Sequence, residues 1–246
     1  MDRMIYLAMN AARQHLNGQA QASHNLANTS TTGFKADFEA FRAMPLFGDG
    51  EPTRVFSMAE RPGVNFAAGS MEQTGNELDV AINGDGFFAV QLPNGQEAYT
   101  RAGEFKLDPG GQLRTADGLA VLGNGGPVVM PASETVSIGH DGTISTRPLG
   151  QEANALTQVD RLKLVKPTLK DLIKGEDGLF HPRDGQPLPA DAGVQVLAGN
   201  LERSNVNPVS EMVSMIQNSR HYELAVKAMN TAQTLDADGA RLLRLS

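Results

Sequence analysis

The stretch Asn207-Pro208-Val209-Ser210-Glu211-Met212-Val213-Ser214-Met215-Ile216, running on through Tyr222-Glu223-Leu224-Ala225-Val226 to Met229, decides the fold. Asn207 is a good N-cap, Pro208 suits the first helical position, and Glu211 sits in the first turn. No glycine interrupts Pro208 to Leu235. A heptad-like seam runs through Met212, Met215, Ser219, Tyr222, Val226 and Met229. A surface helix of a globular protein needs one apolar stripe. Here Val209, Met212, Val213, Met215, Ile216, Tyr222, Leu224, Ala225, Val226, Ala228 and Met229, at about 100° per residue, spread over most of the circumference. Such a helix calls for cover on several sides.

The other long helix is expected over residues 4 to about 28. Its seam alternates four and three through Ile5, Met9, Ala12, Leu16, Ser23 and Leu26, with Gln19 as the exception. Asn28, Ser30 and the Thr31-Thr32-Gly33 turn end it. This helix covers one face of the C-terminal helix; the remaining apolar faces require other subunits. A C-terminal helix of about 50 Å at 1.5 Å per residue, with surplus apolar surface, suits a tube of stacked pairs. Heterologous contacts that do not close generate helical filaments. Met212, Met215 and Met229 give that surface an adaptability that tolerates non-identical neighbours. The competing expectation, that both end helices pack only against their own domain, is weakened by their position at opposite ends of the chain around an almost purely β middle.

From about 76 to 146 turn signals recur: Asn83-Gly84, Asn94-Gly95, Asp108-Pro109-Gly110, Asp117-Gly118, Asn124-Gly125 and Asp141-Gly142. Short apolar runs such as Phe87-Phe88-Ala89-Val90 and Ala120-Val121-Leu122 lie between them, the pattern of an antiparallel β domain with tight hairpins. Residues 159–165 add one strand, and Thr168 to Lys174 a short helical turn. Residues 34–75, rich in Pro and Gly, read as an extended, ribbon-like connector that pairs with the return path near 190–206. The predicted class is therefore α+β. Its parts are a coiled-coil-like pair of terminal helices (1–30 with 207–246), an extended connector (31–75 with 190–206) and an antiparallel β domain (76–189).

Composition closes off other chemistries. The formal charge of −7 comes with no basic patch, which argues against nucleic acid. No Lys/Arg run would hold an anionic membrane, and no run of eighteen apolar residues predicts a membrane span. With no cysteine, disulfides and thiolate metal sites are excluded. The five histidines, His15, His24, His140, His181 and His221, show no metal spacing. His140 reads as a turn residue in Gly139-His140-Asp141-Gly142, and His221 as an interhelical polar contact. Asp236-Ala237-Asp238-Gly239 begins like a calcium loop but lacks the later ligands and closing Glu. Asn83-Gly84-Asp85-Gly86 lacks the lysine of a phosphate loop, and no Gly-x-Ser-x-Gly elbow occurs. No catalytic, cofactor or metal residue is nominated, and no enzyme is expected. The N-terminus does not read as a secretory signal, since Asn10, Arg13 and His15 break its apolar stretch.

At both ends the residues carry a resemblance. Leu26-Ala27-Asn28 followed by Thr32-Gly33-Phe34-Lys35 resembles the N-terminal signature of flagellar rod and hook axial proteins. Ser204-Asn205-Val206-Asn207-Pro208-Val209, then Glu211-Met212 and Met215-Ile216, resembles their C-terminal signature. Asp79-Val80-Ala81-Ile82, Gly86-Phe87-Phe88, Tyr99-Thr100-Arg101 and Arg161-Leu162-Lys163-Leu164-Val165 are similar to the family's central domain. Met1 to Tyr6 and the length of 246 residues are similar to the proximal-rod members. The resemblance implies a helical D0 domain made from both termini, a Dc connector and a β-rich D1 domain. It implies export by the flagellar type III apparatus without signal cleavage, then assembly in the periplasmic part of the basal body. The implied partners are other proximal and distal rod proteins and copies of the chain itself. The candidate assembly interface is Ile5, Met9, Ala12, Leu16 and Leu26 on the first helix, and Met215, Ile216, Tyr222, Val226 and Met229 on the last. Asn28 and Thr32-Gly33-Phe34 would mark where the chain turns outward, Gly33 supplying a backbone angle other residues resist and Phe34 anchoring the connector.

Three alternatives stand beside this reading: a distal-rod or hook-type subunit of the same family, a soluble or cell-wall-active enzyme, and an autonomous β binding module with dimerising helices. The enzyme needs a pair of acids or a nucleophile with its base, and none is found. The module predicts a stable dimer of the isolated protein.

Overall fold

The computed structural model describes residues 2–45, 55–131, 133–148 and 157–244. The chain's contacts gather it into two compact units, one of residues 1–29, 36–66 and 206–246, the other of residues 30–35 and 67–205. The segment expected as a connector is thus shared between both.

In the first unit, helix α1 (Asp2–Ala27) packs against helix α2 (Pro208–Arg244). The Asn207 side-chain oxygen accepts from the amides of Val209 (3.0 Å) and Ser210 (3.2 Å), the expected N-cap with Pro208 at the first helical position. The helices run antiparallel: His15 stacks on His221, Gly18 faces Asn218, and Asn25 reaches Glu211. The run that begins like a calcium loop, Asp236 to Gly239, lies inside α2. Strands β1 (Asp37–Pro45) and β2 (Val55–Val64) form an antiparallel ribbon with a bulge at Glu39/Ala40. The ribbon expected here therefore pairs with itself rather than with the return path.

All strand pairings described in the second unit are antiparallel. Strand Phe87–Gln91 lies at the centre of the main sheet, pairing with Glu97–Thr100, Ala120–Gly123 and Leu164–Val165. A separate three-stranded sheet joins Ser133–Ile138, Thr143–Pro148 and Thr157–Arg161. Asn94-Gly95, Asp117-Gly118 and Asp141-Gly142 turn between consecutive strands, each glycine at φ near +80° (85°, 84° and 82°). Phe88, Phe105, Leu113, Ile144, Leu162 and Val196 belong to one buried core, with the Phe88 and Phe105 rings edge to face at 5.2 Å.

Two expectations are corrected. Residues 159–165 form two strands in different sheets, because buried Leu162 pairs with Gly123 and carries the chain from one sheet to the other. The helical turn expected over Thr168 to Lys174 is confined to Leu169–Asp171; Leu172–Lys174 is a strand paired with Phe180–Pro182. Part of the return path does pair as expected, Asn200–Glu202 with Met71–Gln73. Gln195–Ala198 instead joins Val80–Asn83.

Candidate assembly interface

The two helices meet through small, polar and larger apolar side chains. The sheltered positions of α1 include Ile5, Ala8, Ala12, His15, Gln19, Ala22, Asn25 and Leu26; those of α2 include Glu211, Met215, Asn218, Tyr222, Ala225, Met229 and Ala232. Several of them lie one residue away from the seam read in the sequence. On α1, Ala8, His15 and Ala22 are sheltered where Met9, Leu16 and Ser23 were expected; on α2, Glu211 is sheltered in place of Met212, while Ser219 and Val226 are half-buried beside Asn218 and Ala225. Small residues explain the offset: Ala8, Ala12, Ala22, Ala225 and Ala232 are buried, and a Cβ on Gly18 would lie 3.0 Å from the Asn218 amide nitrogen. Short side chains let the backbones approach at these positions, while Met9, Leu16 and Met212 are left exposed.

The bulky ones form a surface. Val209 (68% exposed), Met212 (51%), Val213 (47%) and Ile216 (54%) fall at i, i+3, i+4 and i+7, two turns of one stripe. Helical geometry puts this stripe roughly 160° from the α1-facing seam, on the side of α2 away from α1. On α1, Met9 (53%) and Leu16 (47%) are exposed one heptad apart. Of the other interface candidates, Ala12 is buried, while Ile5, Leu26, Met215, Tyr222, Val226 and Met229 are half-buried.

At the lower end of the pair, polar groups sequence reasoning missed hold the helices to the ribbon. Buried Asn25 donates to Asp37 O (2.9 Å) and to Glu211 Oε1 (3.3 Å), and its side-chain oxygen accepts from the Asp37 amide (3.0 Å). His24 lies 3.2 Å from the Asp37 carboxylate. Thr29 Oγ1 donates to Leu26 O (2.5 Å) and Asn28 Nδ2 to His24 O (3.0 Å), which satisfies carbonyls at the end of α1.

The signature residues that follow are fixed within the second unit. Gly33 adopts φ +68°, and a Cβ there would come within 2.3 Å of the Arg101 carbonyl carbon. Phe34 is buried, with Lys174 Nζ 3.9 Å from its ring centroid. Lys35 is buried and donates to Glu202 Oε1 (2.6 Å) and Ala67 O (2.9 Å). Glu202 also accepts from the Gly69 amide (2.9 Å) and from Arg101 Nη1 (3.0 Å). Arg101 donates further to Gly84 O (2.7 Å) and lies over Phe87. Burial pushes the Lys35 ammonium below its ordinary range, although Glu202 pulls the other way. Burial alone would raise Glu202; the hydrogen bonds from Lys35 and Gly69 and the charges of Arg101 and Lys35 outweigh it and hold the carboxyl low. From the C-terminal signature, the Asn205 amide donates to Phe34 O (3.3 Å), Ser204 is half-buried, Val206 is buried, and Glu211 takes the Asn25 bond. The partners of Lys35, Ala67 and Glu202, stand 32 and 167 residues away, so spacing carried no sign of the cluster; the signal was an unexplained lysine at the end of a turn.

Sequence comparison fits this arrangement. Residues 81–146 match the family described as flagellar hook protein FlgE/F/G D1 domain, and residues 197–242 match flagellar basal body rod FlgEFG protein C-terminal. These matches fall on the β unit and on α2 with its approach, and describe the rod and hook class of flagellar structural proteins. The chain is 42% identical to flagellar basal-body rod protein FlgF of Escherichia coli (strain K12) and 40% identical to that of Salmonella typhimurium (strain LT2), each over the whole of both chains. A flagellar basal-body rod protein FlgG from Buchnera aphidicola subsp. Schizaphis graminum is 34% identical over 87% of this chain and 89% of its own. The chain belongs to the FlgF family of flagellar basal-body rod proteins, structural subunits of the motility apparatus. Among the described residues no helix is long and apolar enough to cross a membrane.

Proposed function

We propose that the chain is a non-enzymatic subunit of the proximal rod that polymerises through α1 and α2, the pair acting as a coiled-coil-like D0 domain. One observation carries the reading: α2 shelters Met215, Asn218, Tyr222, Ala225, Met229 and Ala232 along one side and presents Val209, Met212, Val213 and Ile216 on the opposite side. Fully burying a large aliphatic side chain is worth roughly 1.5–3 kcal/mol, so a stripe of four rewards a neighbouring helix. The partners are other rod proteins and further copies of the chain. Residues 1–30 with 207–246 then serve as D0, 31–75 with 190–206 as Dc, and 76–189 as D1. The subunit crosses through the flagellar export apparatus without signal cleavage and works in the periplasmic span of the basal body. Higher identity to FlgF than to FlgG supports the proximal tier over a distal or hook-type one. Deletion of the gene tests the assignment: the cells are expected to be non-motile, without hooks or filaments, and normal swimming overturns it.

A further inference from the structure

The buried cluster on Glu202 lies apart from the exposed faces of α1 and α2. Its two cations and one carboxylate are all nearly inaccessible, the Lys35 side chain 1% and the Glu202 side chain 0% exposed. Buried ion pairs are weak devices for stability, because an apolar replacement of similar volume often does as well. What they add over apolar packing is direction: charge-assisted hydrogen bonds fix atoms at set distances and angles, whereas apolar contact does not.

The atoms fixed here share a topological property. The chain passes between its two units at residues 29/30, 35/36, 66/67 and 205/206. Beside those passages, within the β unit, the Gly33 amide donates to Glu202 O (2.7 Å), Lys35 Nζ binds Glu202 and Ala67 O, and the Gly69 amide binds Glu202 Oε1. Asn205 closes the set, its amide donating to Phe34 O and its side chain to Ala67 O (2.9 Å). Segments 30–35, 67–69 and 202–205 are thereby bound to one carboxylate-centred knot, and Arg101 ties that knot to the bend after Val80–Asn83 through Gly84 O. Gly69 lies so close that a Cβ would meet Arg203 O at 1.8 Å.

We propose that Glu202, with Lys35 and Arg101, is a joint internal to the β unit: it ties to one carboxylate the segments 30–35, 67–69 and 202–205 that flank the unit's chain crossings. Glu202 acts as a positioning residue, holding the Gly33-Phe34-Lys35 turn and the Asn205 return in one place.

Hydrogen exchange on the purified full chain tests the grip. In Glu202→Gln the amides of Gly33, Gly69 and Asn205 are expected to exchange at least about tenfold faster. The core amides of Val80, Ala89 and Leu113 stay within about twofold. Unchanged exchange at the three, or equal acceleration everywhere, overturns the joint and leaves an ordinary core contact. Should Glu202→Gln not fold, Lys35→Met, which keeps the Arg101 and Gly69 bonds, must show the same local pattern in milder form; uniform acceleration refutes the proposal there too.

Discussion

Replacing Ile216 separates assembly from folding. The side chain is 54% exposed, so an arriving helix covers about half of it. Half of the roughly 1.5–3 kcal/mol for full burial is about 0.8–1.5 kcal/mol per contact. Ile216→Ala gives up most of that, a weakening of about four- to tenfold. Ile216→Lys gives up the same burial and adds the cost of a cation against an apolar partner, so about 2–4 kcal/mol, or roughly thirty- to several-hundredfold, is expected. In the isolated chain neither change removes a sheltered contact, and both residues are at least as good helix formers as Ile. Thermal unfolding followed by circular dichroism should therefore move by no more than about 0.5 kcal/mol. The assay is complementation of a deletion strain: soft-agar motility and counts of basal bodies bearing hooks. Ile216→Ala is expected to be impaired and Ile216→Lys to be non-motile and hookless. Normal motility of Ile216→Lys would refute the stripe as an interface. Failure of Ile216→Lys to fold in isolation would refute its exposure.

Further predictions bear on the two units. Ala225→Leu forces a bulky side chain into the small-residue seam and should cost about 1–3 kcal/mol, read as a loss of helical melting temperature. Asn25→Ala strands the Asp37 amide and Glu211 and should destabilise the helical unit by about 1–3 kcal/mol in denaturant titration. Gly33→Ala must place a Cβ against Arg101 backbone in a left-handed conformation, and should cost at least about 1–2 kcal/mol. Glu202 is depressed in the folded state, so its stabilisation is present above its ordinary carboxyl pKa and lost as pH falls through the lower folded value; the acid limb of β-unit unfolding should flatten in Glu202→Gln. Lys35, also depressed, gives the same sign in the alkaline range: stability rises with pH between its lowered folded value and the ordinary lysine range, and Lys35→Met should abolish that rise.

Both helices and their caps were legible because Asn207-Pro208 and the Thr31-Thr32-Gly33 turn are local signals whose partners lie within a few residues. The tight hairpins were legible for the same reason: Asn94-Gly95, Asp117-Gly118 and Asp141-Gly142 name their own geometry. The face of each helix was less so. Tracing the bulkiest residues led to Met9, Leu16 and Met212, whereas the pair closes on Ala8, Ala22 and Ala225. Periodicity reports a stripe but not whether the chain itself or a neighbour covers it. His221 was legible as an interhelical contact, but its partner, the His15 ring at 5.0 Å, was not. The Glu202 cluster was invisible, since its members come from three distant segments and only the folded sheet brings them together.

Cysteine accessibility reports whether a neighbour covers the outer face of α2, and the chain contains no native cysteine to confuse it. A single Ile216→Cys thiol should label readily with a soluble maleimide in the purified chain, where position 216 is exposed. In isolated intact basal bodies it should be protected, becoming fully reactive only after denaturation. Equal labelling in the purified chain and in intact basal bodies would contradict assembly through this face of α2.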